Sequence, residues 1–432
     1  MKVMISLLLP VLLAQGDLVP SSTLSPPQSE TEAGPSTPKT LVPQNQPPQE
    51  EEEEEARLVA GGFELSRATS NLGFDLLRKM TARHEGNLMF SPLGLSFAMG
   101  TLMLGTSGPT HAQILSGLGL QTLSRTQPLP ELFGHLRKTL THTRELGLSQ
   151  GSWAFIHKDF DVTETFRNLS KRYFDTECVP VNFRNASQAR GLMNHYISKE
   201  TQGKIPKLFD KINPDTKLIL MDYILFRGKW QTPFNPAFTE VDTFHLDKYR
   251  AVKVPLMFAS GTFASSFDVN LRCHVLKLPY RGNATMLVVL MQRLGDYLAL
   301  EDYLTTDLVE AWLQNMKTRK MEVFFPKFKL DQKYEMHHLL KQMGIQRIFS
   351  PWADLSELSP TPRNLKVSEV LQRTVVEVDE QGTEAAAGTL TEITAYSMPP
   401  IIKVDRPFHF LIYEETTRLL LFLGRVVDPT RL

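Results

Sequence analysis

Cysteine is nearly missing from this chain: Cys178 and Cys273 are the only two in 432 residues. At most one bridge can form, so a disulfide framework is excluded. A hydrophobic core must hold the fold, whether the two thiols pair or stay free. Long apolar runs are missing as well. Val3 to Ala14 is too short to span a bilayer, and Phe408 to Val427 is broken by Glu414, Glu415, Arg418 and Arg425. Local catalytic signatures are also absent: there is no Gly-x-Ser-x-Gly, Cys-x-x-Cys, Walker loop or Gly-x-Gly-x-x-Gly. His84-Glu85 lacks a second histidine four residues on, and His337-His338, in a lysine-rich helical stretch, reads as surface rather than as metal ligands. No nucleophile has a partner nearby, although a triad of scattered residues needs no local motif. The chain therefore reads as a non-enzyme with no metal site, no directly bound cofactor and no nucleic-acid partner.

What is present begins with Met1-Lys2, the apolar run and then polar, proline-rich sequence. That order predicts a secretory signal peptide over residues 1–21, cleaved somewhere around residues 14 to 21, and a secreted, extracellular (plasma) protein. Residues 22–56 are rich in Pro, Ser, Thr and Gln and end in the acidic run Glu50 to Glu55, so a disordered acidic arm is expected. From Arg57 to Leu432 apolar residues recur without another long linker, which predicts one folded domain. The formal charge is zero, but residues 1–56 hold two of the 47 basic and nine of the 47 acidic residues. The body is left with 45 against 38, a net +7. A basic body with an acidic arm points to a polyanionic partner. Sequons at Asn168, Asn185 and Asn283 predict three exposed glycosylation positions.

Periodicity predicts an amphipathic helix over Asn71 to Arg83. Asn87 to Phe90 reads as a short strand, after which Ser91 and Pro92 cap and start an apolar helix ending before Gly105. A helix apolar on nearly every side belongs in the middle of a fold. Strands are expected at Leu218–Phe226, His274–Pro279, Met286–Met291, Met321–Phe325, Thr374–Val378, Phe408–Tyr413 and Leu419–Val427. Helices early and strands late give an α+β architecture around large sheets.

One segment contradicts its position. Just before the apolar carboxy-terminal run lies Glu380-Gln-Gly-Thr-Glu-Ala-Ala-Ala-Gly-Thr389, made almost wholly of small residues. At period 2, residues 383, 385, 387, 389, 391, 393 and 395 are Thr, Ala, Ala, Thr, Thr, Ile and Ala, while Glu384 and Glu392 fall on the other face. One face could therefore enter a sheet between existing strands, which demands neither charge nor bulk. The alternative is a plain surface loop sensitive to proteolysis. A second cluster, Arg125, His135, Arg137, Lys138, His142 and Arg144, could place several charges along a helix as a stripe for heparin or another sulfated polysaccharide, or could be an ordinary solvated face.

Several segments together resemble the serpin superfamily of serine-protease inhibitors. They are Asn87-Leu-Met-Phe-Ser-Pro92, Thr201-Gln-Gly-Lys-Ile-Pro206, Phe226-Arg-Gly-Lys-Trp230, Leu278-Pro-Tyr-Arg-Gly-Asn283, Phe325-Pro-Lys-Phe328, Ala353-Asp-Leu-Ser356, the Glu380 to Thr389 segment, Asp405-Arg-Pro-Phe408 and Phe422-Leu-Gly-Arg425. The resemblance covers residues 65 to 430. It implies three β-sheets with about nine helices and an exposed reactive-centre loop that a protease attacks, forming an acyl-enzyme. The loop then inserts into the main sheet and drags the protease with it; about 14 inserted residues at ~3.3 Å each would move the bond some 45 Å.

By that resemblance the hinge comprises Glu380, Gly382, Thr383, Glu384, Ala385, Ala386, Ala387, Gly388 and Thr389, and the reactive bond is Tyr396-Ser397. Gly388 stands where many inhibitory members have Ala. Asp222 stands where Asn is usual, and Val370-Leu-Gln-Arg-Thr374 replaces the usual Val-x-His-Lys-Ala, so sheet opening is expected to differ. The acidic arm, Glu392 to Pro400 and Phe174 to Cys178 resemble a coagulation-regulating branch of the family. That branch implies inhibition of factor Xa with protein Z, calcium and phospholipid, and of factor XIa without them, with heparin as a further cofactor and membrane contact only through protein Z. Asp247, Tyr249 and Asp302 match its positions for protein Z. Inhibition of chymotrypsin-like proteases, which Tyr396 favours, and a non-inhibitory carrier of a small ligand are the competing readings.

Overall fold

In the computed structural model, residues 48–203, 205–360, 364–380 and 399–431 are described. The chain divides after Pro48 into two units, and the second, Gln49–Leu432, carries the folded body. Its strands are β1 (Leu88–Phe90), β2 (Leu148–His157), β3 (Thr176–Val181), β4 (Leu218–Phe226) and β5 (Glu240–His245). They continue with β6 (Ala251–Asp268), β7 (Cys273–Pro279), β8 (Ala284–Met291), β9 (Lys317–Pro326) and β10 (Phe328–Glu335). The last are β11 (Glu369–Val378), β12 (Ile401–Lys403), β13 (Phe408–Glu414) and β14 (Leu420–Val426). The helices are α1 (Pro48–Thr81), α2 (Pro92–Leu104), α3 (Gly108–Gly117), α4 (Leu123–Thr126) and α5 (Leu129–His142). They end with α6 (Glu164–Phe174), α7 (Ala186–Glu200), α8 (Tyr297–Tyr303), α9 (Thr306–Gln314) and α10 (His337–Gln342). Ten α-helices thus stand among the described residues, against about nine expected.

The sheets are a five-stranded one, β10-β11-β4-β2-β3, and a nine-stranded one, β1-β14-β13-β8-β7-β6-β9-β12 with β5 on β6. Two of the three expected sheets are joined because β6 serves both. Its first half carries β5, and its last residues pair with β7. Pro255, Gly261 and a run of small residues hid this 18-residue strand from the sequence patterns. By contrast β4 falls where expected. Leu218, Leu220, Ile224 and Phe226 enter the main core, while Ile219, Met221, Tyr223 and Leu225 enter a second one against α7. Burial on both faces gives a strand a continuous apolar run instead of alternation.

Ser91 caps α2 as expected, accepting at 3.0 Å from the Gly94 amide, and every residue from Pro92 to Met103 is buried. Phe97 of α2, Phe133 of α5 and Phe174 of α6 then join three helices through ring contacts at 5.1–5.9 Å. Helix α1 departs from expectation by starting at Pro48, so residues 48–56, read as part of a disordered arm, are helical. Glutamate is a good helix former and its charge suits a helix amino terminus. Gly61, a poor helix former, lies where a Cβ would come 2.7 Å from Leu132 Cδ2 and permits the close approach of α1 to α5. Among the described residues no helix is long and apolar enough to cross a membrane.

Candidate functional site

The small-residue segment begins where β11 leaves the five-stranded sheet, and two contacts hold that exit. Trp230 Nε1 donates to Asp379 O at 2.9 Å, with its ring stacked on Tyr280 at 4.1 Å. Glu380, 8% exposed, accepts from Lys327 Nζ at 2.6 Å and from Thr239 Oγ1 at 2.7 Å. Burial opposes its charge, but the Lys327 and Thr239 bonds outweigh it and hold the carboxyl below its ordinary range. Residues 381–398 lie outside the described residues, and with them Gly382 to Thr389, Tyr396 and Ser397. At the far end Pro400 O accepts from Glu322 N at 3.0 Å, and β12 pairs with β9 in parallel. The described chain thus ends just past β11 of the five-stranded sheet and resumes before β12 of the nine-stranded one.

Beside β11 runs its parallel neighbour β4, with Val376 opposite Phe226 and Gln372 opposite Asp222. Parallel pairing is slightly weaker per residue than antiparallel. A strand turning back after Glu380 into this seam would run antiparallel to both neighbours. The seam also contains a buried polar group: Asp222 sits at 1% exposure on the face that sends Leu220 and Ile224 into the core. Gln150 Nε2 donates to its Oδ1 at 3.3 Å, and Gln372 Nε2 lies 3.5 Å from its Oδ2. Burial dominates these bonds and pushes the carboxyl up to about 7. Gln372 also grips the start of α2, accepting from Ser91 N and donating to Ser91 O, both at 2.9 Å. Thr374 Oγ1 donates to Met89 O on β1 at 3.1 Å, so the seam is latched to β1 as well as to the cap of α2. A Cβ on Gly94 would stand 2.1 Å from Asp222 Oδ2, which leaves glycine as the side chain that fits.

Sequence reasoning passed over Lys327, Thr239 and Gln150. Lys327 and Trp230 both lie inside segments that carried the family resemblance, which was the available signal. Gln150 and Thr239 had none, because their partners are 72 and 141 residues away.

The basic cluster is only partly assembled. His135, Lys138 and His142 fall on one side of α5, with Lys138 and His142 exposed. Arg137 instead donates to Arg172 O at 3.0 Å, and Gly134 packs on Tyr173. Arg144 lies past the end of the helix in a 3-10 turn, and exposed Arg125 is on α4. Asp247 makes the turn between β5 and β6, accepting from Tyr249 N at 2.8 Å and from Arg250 Nε at 2.6 Å. Tyr249 is 88% exposed, and Asp302 is exposed on α8. Burial and several charges act on Tyr297 of the same helix, Asp247 among those that raise its phenol, so the turn and α8 share a neighbourhood.

Asn168, Asn185 and Asn283 are all exposed. The Asn283 amide nitrogen donates to Glu414 at 2.9 Å and also to Thr416. Both cysteines are free, and Cys273 is fully buried with its thiol pushed up to about 12 by that burial. One reading needs correction: His337 is buried rather than on the surface, because α10 turns it toward Phe349.

Residues 67–429 match the family described as "Serpin (serine protease inhibitor)", and this chain belongs to that family. Over its whole length it is 70% identical to human protein Z-dependent protease inhibitor, and 63% identical to the rat protein of that name, each matched in full. The crystal structure of mouse protein Z-dependent protease inhibitor superposes with a TM-score of 0.82 at 68% identity, over 87% of this chain and all of that one. Human thyroxine-binding globulin, solved with its ligand, superposes with a TM-score of 0.78 at 32% identity, over 86% of this chain and all of that one. The chain is thus a serpin similar over its full length to protein Z-dependent protease inhibitors.

Proposed function

We propose that this serpin inhibits its target by suicide-substrate loop insertion after cleavage between Tyr396 and Ser397. The observation carrying this is the parallel β4/β11 seam: the chain leaving β11 runs directly into a segment whose alternate residues are small and uncharged. Cleavage frees that segment to become a strand antiparallel on both sides. Asp379 and Glu380 act as the pivot and the hinge runs from there to Thr389.

The target, in this reading, is coagulation factor Xa in the presence of protein Z, calcium and phospholipid, with factor XIa inhibited without them. The similarity to protein Z-dependent inhibitors over the full chain supports it. So does the bait residue. A coagulation protease with an acidic primary pocket prefers arginine, so Tyr396 is poor bait and needs a bridging cofactor that raises the local concentration of protease. Asp247, Tyr249 and Asp302 form the protein Z surface, heparin lies along Lys138 and His142, and the protein is a secreted glycoprotein with an amino-terminal signal. The fold shared with thyroxine-binding globulin favours a carrier as second reading. Incubation with factor Xa separates the two. Inhibition gives a detergent-resistant covalent complex accelerated by protein Z and phospholipid, whereas a carrier gives cleaved chain alone; absence of acceleration would defeat the protein Z assignment.

A further inference from the structure

A separate cluster stands at the opposite end of β11 from the hinge, where β10 ends and α10 begins. Glu335, His337 and His338 each offer one ligand atom there, and the three atoms lie within 4.8 Å of one another. Neighbouring helical residues ordinarily point about 100° apart, yet the two imidazole rings meet with centroids 4.1 Å apart. His337 is 8% exposed, and its Nδ1 is buried with no hydrogen-bond partner. A buried ring nitrogen without a partner carries a desolvation cost that a ligand would relieve.

The electrostatic surroundings favour a cation. Glu369, which begins β11, lies on the same side of the β10/β11 pair as Glu335, because Glu335 stands opposite Leu371, two residues further on. The nearby lysines are engaged elsewhere: Lys333 Nζ donates to Leu208 O at 2.8 Å, and Lys341 lies over the Phe349 ring at 5.5 Å.

From this geometry we infer that Glu335, His337 and His338 form a binding site for a zinc-like divalent transition-metal ion. Two imidazoles and one carboxylate, with a fourth position left to water, are a donor set that zinc accepts. Tetrahedral bonds of about 2.1 Å place ligand atoms about 3.4 Å apart, so side-chain adjustments on the order of an ångström complete the site. The site was passed over in the sequence because Glu335 precedes the histidines and lies on a different element.

Titration of the full chain with zinc(II) by calorimetry tests this. The wild type is expected to take up one saturable equivalent, and cobalt(II) in its place should give the visible absorption of a low-coordinate histidine site. Glu335 and His338 are exposed, so Glu335→Gln and His338→Ala should leave the core intact, and each should weaken zinc by about tenfold or more. His195→Ala, at an exposed histidine on α7, should leave the affinity unchanged. Absence of saturable uptake, unaltered affinity in both site variants, or an equal loss in His195→Ala would each overturn the assignment.

Discussion

Asp222 and Gln372 face each other across the parallel β4/β11 seam, with Gln372 Nε2 3.5 Å from Asp222 Oδ2 and the same amide bonded to Ser91 O at 2.9 Å. The strand pair that would have to part under the proposed insertion is thus held by a buried carboxyl and by an amide latched to the start of the helix behind it. Neither side chain carries a compensating positive charge. The ease of opening is therefore coupled to whether Asp222 holds its proton.

The folded carboxyl titrates at about 7, above about 3.9 in an unfolded chain. The folded protein binds this proton more tightly, so the stabilisation is fully present below about pH 4 and is lost as pH rises through 7. The loss runs at roughly 1.4 kcal/mol per pH unit across that window. Asp222→Asn removes the titration. The difference in stability between variant and wild type should grow from pH 4 to pH 7, with the variant melting several degrees higher at pH 7.4 and converting more slowly to a loop-inserted latent form. Parallel melting curves in both buffers, with the same latency rate, would disprove the coupling. Adding Gln372→His tests whether the second departure in the seam acts in the same direction.

Gly94→Ala brings a methyl group to within 2.1 Å of Asp222 Oδ2 and 3.0 Å of Gln372 Nε2. Overpacking a rigid interior costs about 1–3 kcal/mol. Denaturant midpoints should fall accordingly, and Asp222→Ala should restore part of the loss, giving a non-zero coupling in the double-mutant cycle. Strict additivity would show that the contact is relieved elsewhere.

Lys327→Ala strands the Glu380 carboxylate, 8% exposed, with Thr239 as its remaining side-chain partner. Leaving a buried charged acceptor short of its donor costs about 1–3 kcal/mol. The variant should melt lower and form latent or polymeric species faster, and Glu380→Gln should do so more mildly. Because the Glu380 carboxyl is held below its ordinary range, its contribution is present above about pH 4.3 and fades as pH falls through the folded value. The gap between Lys327→Ala and wild type should therefore narrow in acid. A gap independent of pH down to unfolding would rule out the ion pair as the cause.

Tyr396→Arg suits the primary pocket of an arginine-preferring protease. Inhibition of factor Xa without protein Z should accelerate by about tenfold or more, and the further acceleration by protein Z and phospholipid should shrink. Second-order rate constants with and without the cofactor measure both. Loss of all factor Xa inhibition would place the scissile bond elsewhere.

Much of the fold was legible wherever local pattern and burial agree. The Ser91-Pro92 start of α2 was visible because a cap and an apolar run are both local. So was β4, whose two buried faces leave an unbroken apolar stretch. Strand β6 was hidden by Pro255, Gly261 and its small residues, because its strand character comes from partners on both sides and not from its own composition. The start of α1 was misplaced, since a run of acids that reads as a solvated tail is also a good helix amino terminus. At the site, the departures at Asp222 and Gln372 were visible in the sequence, but their mutual contact was not.

The sequence alone determined the family and the small, uncharged alternate residues of the segment before the carboxy-terminal strands, because these depend on side-chain size, charge and order along the chain. Tertiary structure decided what holds the seam shut. Asp222, Gln372 and Ser91 are up to 281 residues apart, as are the partners that latch Glu380 from distant strands. Only packing could remove these groups from water, raise one carboxyl and depress another, and set His337 beside Glu335 and His338. Those properties belong to the surroundings of a residue, which no local stretch of sequence encodes.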